Sequence, residues 1–83
     1  MEREEILNVV LKHLRLNVEG LEDEVIDPAK SMLDLGASSL DIVEIVSASM
    51  RELQIRVQRT QLANLKNINE LVDLFHKVKQ NAV

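Results

Sequence analysis

The sequence predicts an all-α protein: a small four-helix bundle of three main helices and one short helix, with a long loop between helices one and two. Apolar residues recur at helical spacing in three separate segments. The one alternating segment, residues 54–57, has no second strand to pair with. Eighty-three residues, 46% of them apolar, are enough for one small domain, 1–83, with its own core. The core must be aliphatic, because Phe75 is the single aromatic residue.

The first helix is predicted over residues 3–16. Its apolar residues fall three and four positions apart and form a wide stripe, made of Ile6, Leu7, Val10, Leu11 and Leu14. Asn17 and Gly20 are residue types that commonly end a helix. The width of the stripe predicts that this helix packs against more than one neighbour.

Residues 17–37 form the long connection. We expect its apolar residues to hold it against the core, namely Val25, Ile26, Met32, Leu33 and Leu35. Asp27-Pro28 predicts a turn, and a short helical turn is expected from Lys30 to Leu33. Gly36 is expected to supply either a positive φ or room for a close approach to the backbone.

Ser38 and Asp41 have the spacing of a capping box at the start of helix two. The Ser38 hydroxyl is placed to accept the amide of residue 41, and the Asp41 carboxylate is placed to reach back. This arrangement leaves the hydroxyl of Ser39 free in the first turn, at the positive end of the helix dipole.

Helix two, predicted over residues 39–53, carries two apolar stripes. At 100° per residue the core face consists of Ile42, Ile45, Val46, Ser49 and Leu53. The far side consists of Leu40, Val43, Glu44, Ser47, Met50 and Arg51. This second stripe is either a partner-binding face or a surface that a later segment covers, and the spacing favours neither.

The remaining chain predicts a short and a long helix. Ile55 and Val57 are expected to point inward from an extended loop, and Thr60 to cap a short helix over residues 61–64. Asn67 and Glu70 have the positions of a cap and its reciprocal partner. The apolar residues of the fourth helix then follow at helical spacing to about Lys79: Ile68, Leu71, Val72, Phe75 and Val78.

The net charge of −4 is unevenly distributed. Residues 19–44 hold eight acids and one base, whereas residues 45–83 hold six bases and three acids. The acidic part disfavours nucleic acid and favours basic protein partners.

No apolar run is long enough to span a membrane, and the polar start is unlike a signal peptide. We therefore expect a soluble, cytoplasmic monomer.

The sequence offers little catalytic chemistry. It has no Cys, and the acids of Glu22-Asp23-Glu24 lack metal-loop spacing, so no metal site is expected. His13 and His76 lie toward the polar sides of their helices, and we expect both to be solvated. Because neither can be placed beside Ser39, a serine hydrolase has no support. The prediction is a protein that is not an enzyme.

The segment Asp34-Leu35-Gly36-Ala37-Ser38-Ser39-Leu40-Asp41, with Ile42-Val43-Glu44-Ile45-Val46 after it, resembles the signature of the acyl carrier protein family. The resemblance extends over nearly the whole chain. It implies that a phosphopantetheinyl transferase esterifies Ser39 with the 4′-phosphopantetheine of coenzyme A, whose thiol then carries an acyl group. It also implies a partner-docking face made of Ser38, Leu40, Asp41, Val43, Glu44, Ser47, Met50, Arg51 and Arg59.

Two departures from the family pattern bear on the pathway. Ser38 stands where the family usually has Asp. The end of helix two and the short helix, acidic in fatty-acid carriers, here hold Met50, Arg51, Arg59, Thr60, Gln61 and Asn64. In these two departures the chain is similar to free-standing carriers of polyketide pathways. Among them are the curacin-type donors that present an acetyl group to a synthase of the hydroxymethylglutaryl (HMG) type in β-branching.

Three alternatives therefore remain open from the sequence. The first is a polyketide-pathway carrier with ketosynthase-like or HMG-synthase-like partners. The second is a carrier of fatty-acid synthesis. The third is a helical interaction module that uses the Leu40–Met50 stripe without any cofactor.

Overall fold

A computed structural model describes residues 1–81. These residues form no strand and four helices, which are α1 (Arg3–Asn17), α2 (Ser39–Leu53), α3 (Arg59–Leu62) and α4 (Ile68–Asn81). α1 packs against both α2 and α4. The predicted all-α bundle of three main helices and one short helix is therefore confirmed. Within these residues no helix has both the length and the apolar character needed to cross a bilayer.

The core lies where α1 faces α2 and α4. Its fully buried side chains are Ile6, Val10, Leu14, Ile45, Leu53, Ile68, Val72 and Phe75. Burying one such side chain favours folding by roughly 1.5–3 kcal/mol. Ser49 is the buried polar residue of this region, and its hydroxyl donates to the Ile45 carbonyl at 2.7 Å. The predicted core face of helix two is thereby confirmed at its centre.

The loop between α1 and α2 is held to the core by fewer side chains than predicted. Ile26 and Met32 are buried, and Leu35 is half-buried against the core. The expectation is wrong for Val25 and Leu33, which are 98% and 63% exposed. Neighbouring side chains of an extended segment point to opposite sides, so that burial of Ile26 turns Val25 outward.

Local turns shape this loop. The Lys30 N–H donates to the Asp27 carbonyl at 3.0 Å, which confirms the turn at Asp27-Pro28. The short helical turn predicted to begin at Lys30 does not form. Instead the turn covers residues 32–36, where the Leu35 N–H donates to the Met32 carbonyl and the Gly36 N–H to the Leu33 carbonyl, each at 3.1 Å. Ahead of it the Ser31 hydroxyl accepts the Asp34 N–H at 3.0 Å.

Two main-chain hydrogen bonds fix the same loop to the start of α4. The Ile68 N–H donates to the Lys30 carbonyl at 3.1 Å, and the Asn69 N–H donates to the Pro28 carbonyl at 2.9 Å. The first amides of a helix have no partner within it, so the loop supplies acceptors that α4 needs. Loop and helix stabilise each other.

The short helix lies earlier than predicted. α3 begins at Arg59, so Thr60 lies inside the helix and does not cap it. The Gln58 N–H donates to the side chain of Gln61 at 3.4 Å, a reciprocal contact that fixes the earlier start. Ahead of it, Ile55 is buried and Val57 is half-buried against the core, as predicted.

The cap of α4 is confirmed in part. The Glu70 N–H donates to the side-chain oxygen of Asn67 at 2.8 Å. The Glu70 carboxylate, however, accepts the N–H of Lys66 at 3.1 Å, one residue before the predicted partner. The helix then continues to Asn81, two residues past the predicted end at Lys79.

His13 is not the solvated residue that the sequence suggested. Its side chain is only 15% exposed, and its Nε2 lies 2.8 Å from the Glu52 carboxylate. Lys12 Nζ donates to the same oxygen at 2.6 Å. Packing of α1 on α2 brings Glu52 over the polar edge of α1, a contact that local periodicity cannot reveal. His76 is likewise half-buried.

Candidate functional site

The capping box at the start of α2 is formed as predicted. The Asp41 N–H donates to the Ser38 hydroxyl at 3.1 Å, and the Ser38 N–H donates to the Asp41 carboxylate at 2.9 Å. Ser38 is extended (φ −80°, ψ 171°), so the helix begins with the next residue. Both polar groups of the box are thus committed to starting the helix.

Ser39 is the first residue of α2 and is exposed. Within residues 1–81 its side chain has no hydrogen-bond partner. The hydroxyl lies at the amino end of a fifteen-residue helix, where free amides and the helix dipole favour a phosphate. The residues present therefore fit a phosphodiester on Ser39.

The backbone before the cap aims the two serines outward. Gly36 has φ +100°, which a side chain rarely tolerates, although a Cβ there would come no closer than 3.7 Å to Val18. The positive φ at residue 36 therefore requires a glycine, whereas the space around its Cα would accommodate a Cβ. After it Ala37 is buried, and its N–H donates to the Met32 carbonyl at 3.0 Å. The chain then turns back to the surface at Ser38.

The amino half of the far side of α2 is open. Leu40 is 83% exposed and Val43 is 63% exposed. Glu44 is exposed as well, and Ser47 is half-buried. The predicted docking residues that follow the serines are thus brought together on one accessible surface, with two large apolar side chains beside Ser39.

The carboxyl half of the far side of α2 is less exposed than the amino half. Met50, predicted to face outward, is half-buried and packs against the core. The segment that follows α2 lies opposite it and covers this part of the stripe. Arg51 remains exposed, as does Arg59 at the start of α3. Each interpretation of the second stripe therefore holds for part of it.

A partly open cavity of about 670 Å³ separates α2 from the covering segment. Its walls are mainly apolar and include Ile42, Val46, Met50, Leu62, Leu65 and Leu71. α3, on one side of it, buries none of its own residues. The cavity reaches Val43, one helical turn from Ser39.

Leu33 also borders this cavity, although the sequence assigned it to the core. It lines the space together with Val43, and both are exposed. One sequence feature could have predicted the exposure of Leu33, namely its position next to Met32. When one of two neighbouring apolar residues in this turn faces the core, the other faces outward. Leu33 extends the apolar surface around Ser39 onto the loop.

Among residues 1–81 no acidic or basic side chain forms a hydrogen bond with the Ser39 hydroxyl. His13 binds Glu52, which lies thirteen residues along α2, or about 20 Å at 1.5 Å per residue. Within residues 1–81 no group of three or more His, Asp or Glu side chains is arranged to hold a metal ion. The site thus offers an accessible hydroxyl that an external catalyst can modify.

The family model and two relatives that match this chain all belong to carriers of phosphopantetheine or to acyl carrier proteins. Residues 6–75 match the family described as phosphopantetheine attachment site. The chain is 27% identical to the polyketide biosynthesis acyl-carrier-protein AcpK of Bacillus subtilis (strain 168), over 99% of this chain and 100% of that protein. It is 31% identical to an acyl carrier protein of Saccharopolyspora erythraea, over 89% of this chain and 78% of that protein.

Among solved structures, the chain resembles one of the curacin biosynthetic pathway HMG synthase in complex with an acetyl donor acyl carrier protein. The TM-score is 0.82 with 37% identity, over 90% of this chain and 96% of the matched chain. The matched chain is therefore about as long as this one. The chain belongs to the acyl carrier protein family, whose phosphopantetheine-attachment domain carries 4′-phosphopantetheine covalently.

Proposed function

We propose that Ser39 is the residue that takes the 4′-phosphopantetheine arm, and that the chain presents an acyl thioester to partner enzymes. The observation that carries this proposal is the contrast between two adjacent hydroxyls. Ser38 accepts the Asp41 amide, whereas Ser39 is exposed and has no partner within the described residues. Modification of Ser39 would leave the cap intact, but modification of Ser38 would disrupt it.

The chain's own residues position the arm. The amino end of α2 stabilises the phosphodiester through free amides and the helix dipole. When bound, the arm supplies a thiol that holds the acyl group as a thioester. Leu40 and Val43 form the apolar surface on which a phosphopantetheinyl transferase, or a later enzyme, reaches the arm. We propose that the protein works as a monomer in the cytoplasm and catalyses no reaction itself.

We further propose that the pathway makes a polyketide and that the partner is an enzyme of the HMG-synthase type, to which this carrier donates an acetyl group. The likeness to the acetyl donor of the curacin complex supports this, at 37% identity over nearly the full length of both chains. The relative named for polyketide biosynthesis supports the assignment to a polyketide pathway. A fatty-acid carrier fits less well, because bases replace the acids expected near Arg51 and Arg59.

The cavity beside α2 suits the carried acyl group. Its walls are mainly apolar, it reaches the exposed Val43, and α3 on one side of it packs against the core through the half-buried Leu62. An alkyl chain entering it would leave water, a gain of about 0.8 kcal/mol for each buried methylene. We propose that the cavity shelters chains longer than acetyl from hydrolysis.

The attachment is tested by incubating the protein with coenzyme A and a broad-specificity phosphopantetheinyl transferase, followed by intact mass. The parent protein and Ser38→Ala should each gain one arm, while Ser39→Ala should gain none. Ser38→Ala is the matched control, because it removes the neighbouring hydroxyl and leaves Ser39 in place. An unmodified parent, or an arm on Ser39→Ala, would refute the assignment.

A further inference from the structure

Eight of the ten Lys and Arg residues fall into two groups, and the other two, Lys30 and Lys77, are exposed and have no side-chain partner within residues 1–81. In one group the side chains serve the fold itself. Arg3 Nε lies 2.6 Å from the Asp73 carboxylate, and Lys12 Nζ lies 2.6 Å from that of Glu52. Arg15 and Lys79 donate to main-chain carbonyls at 3.2–3.3 Å and 2.8 Å. All four lie on α1 or α4.

The second group lies around the carboxyl end of α2 and α3. It consists of Arg51, Arg56, Arg59 and Lys66, all exposed. Across residues 1–81 none of these four side chains forms an ion pair or a hydrogen bond. The only acid in the sequence from residue 45 to residue 69 is Glu52, and it is held by Lys12 and His13 on the α1 side. Four positive charges therefore remain uncompensated.

Folding does not explain this cluster. Within residues 1–81 the four side chains have no ion-pair or hydrogen-bond partner, and α3, which contains Arg59, has no fully buried residue. Like charges held near one another raise the free energy of the folded state slightly. A surface that costs stability and faces solvent is better explained by binding. The sign of the charge identifies the chemistry of the partner, which must present carboxylates.

Arg51, the member of the cluster that belongs to α2, lies on the same side of the helix as Leu40, the residue next to the attachment site. Leu40, Glu44, Ser47 and Arg51 follow one another at spacings of four, three and four residues, and so share one side of the helix. Acids dominate the amino end, where Glu44 is exposed and without a partner in the described chain. Along the axis Arg51 lies about 18 Å from Ser39. The outer side of α2 thus changes sign along its length.

We propose that this two-signed surface docks an acyl-accepting enzyme that carries carboxylates about 18 Å from the mouth of the tunnel that receives the arm. Cationic side chains of the partner lie nearer the mouth, opposite Glu44. The proposal rests on the proposed function, since the arm on Ser39 defines where that mouth lies. It also explains discrimination, because an enzyme built for an all-acidic carrier would place its cations against Arg51 and Arg59.

The test compares Arg51→Glu and Arg59→Glu with Lys77→Glu, which makes the same charge change on the exposed side of α4. Intact mass first establishes that each variant takes the arm, and circular dichroism that each keeps the helical content. Each carrier is then loaded with acetyl, and the rate of acetyl transfer to the curacin-pathway HMG synthase is measured at low and high KCl.

Arg51→Glu and Arg59→Glu should each transfer acetyl about tenfold more slowly than the parent at low KCl, mainly through slower association. Lys77→Glu should match the parent within about twofold. Added KCl should slow the parent and narrow the gap, because it screens exposed charges.

Equal rates for Arg51→Glu, Arg59→Glu and Lys77→Glu would overturn the proposal. So would a parent carrier that takes the arm but transfers no acetyl to the synthase, because the assigned partner chemistry is then wrong. Either result would leave the attachment to Ser39 standing. Failure of the parent to take the arm would instead refute the proposed function.

Discussion

Lys79 Nζ donates a hydrogen bond of 2.8 Å to the main-chain carbonyl of Leu53, and so joins the last turn of α4 to the last turn of α2. The last carbonyls of a helix lack partners within it, and a cation there also complements the helix dipole. Leu53 itself is buried, so this contact closes the bundle at the end opposite Ser39.

Replacing Lys79 with Met keeps the aliphatic stem and removes the donor. The free energy of unfolding should fall by about 1 kcal/mol. Lys77→Met is the matched control, because Lys77 is exposed and binds no acceptor within the described chain, and it should change stability by less than about 0.5 kcal/mol. Urea unfolding of both variants measures the difference, and equal midpoints would show that the contact contributes nothing.

Gln54 ends α2 with φ +58°, the left-handed conformation that side chains disfavour. The Ile55 N–H donates to the Met50 carbonyl at 3.0 Å across this turn, so the conformation is fixed by the helix end. Gln54→Gly should therefore raise the free energy of unfolding by about 0.5–1 kcal/mol. The opposite change, Gly36→Ala at φ +100°, should lower it. Thermal unfolding of both variants tests the pair, and a loss of stability in Gln54→Gly would contradict the argument.

Removing the cap hydroxyl with Ser38→Ala should lower the free energy of unfolding by about 1 kcal/mol. Ser38→Asp should stay near the parent, because an aspartate accepts the Asp41 amide and suits the helix dipole. Chemical denaturation measures both variants. If Ser38→Ala and Ser38→Asp are equally unstable, the capping hydrogen bond is not the cause.

The hydrogen bond from Lys12, and then that from His13, hold the pKa of Glu52 below its ordinary value of 4.5. The folded state therefore binds this proton more weakly than the unfolded state does. The resulting stability is complete above pH 4.5 and is lost as the pH falls through the lowered pKa.

Glu52→Gln should accordingly be less stable than the parent at neutral pH, and the gap should shrink as the solution is acidified below pH 4.5. Melting temperatures across this range provide the measurement. Glu44→Gln serves as control, because Glu44 has no partner within the described residues and should show no such pH-dependent gap. If the difference in melting temperature between Glu52→Gln and the parent stays constant with pH, the lowered pKa of Glu52 does not contribute to stability.

Filling the cavity should affect long acyl chains selectively. Val46 forms part of its wall and is half-buried, so Val46→Phe places a larger side chain in that space. An octanoyl thioester on the variant should hydrolyse faster than on the parent, since less of the chain leaves water. The acetyl thioester should hydrolyse at an unchanged rate and provides the control. Equal octanoyl half-lives would mean that the chain stays outside.

The start of α2 was predictable because several local signals agree there. A capping pair, an apolar period and a glycine at positive φ all lie within a few residues, and the helix spans Ser39–Leu53 as expected. α3 was misplaced by two residues because four residues are too few for a period. Its start depends on a weak contact between the side chain of Gln61 and the amide of Gln58.

Contacts between distant segments set the limit of the sequence prediction. The burial of His13 depends on Glu52, which belongs to another helix. The burial of Met50 depends on the segment after α2, whereas Val43, on the same stripe, stays exposed. Periodicity identifies an apolar stripe, but only the packing of helices decides which half of it is covered.

The hydrogen bonds from Ile68 and Asn69 to the loop carbonyls also impose an order of assembly. The carbonyls of the loop that leads to Ser39 gain these two donors only after α4, which follows it by about forty residues, has formed. Pairing over so long a sequence separation comes late, because the entropy of closing the intervening chain must be overcome first. A chain that lacks α4 would leave the carbonyls of Pro28 and Lys30, in the loop that leads to α2, without these two donors.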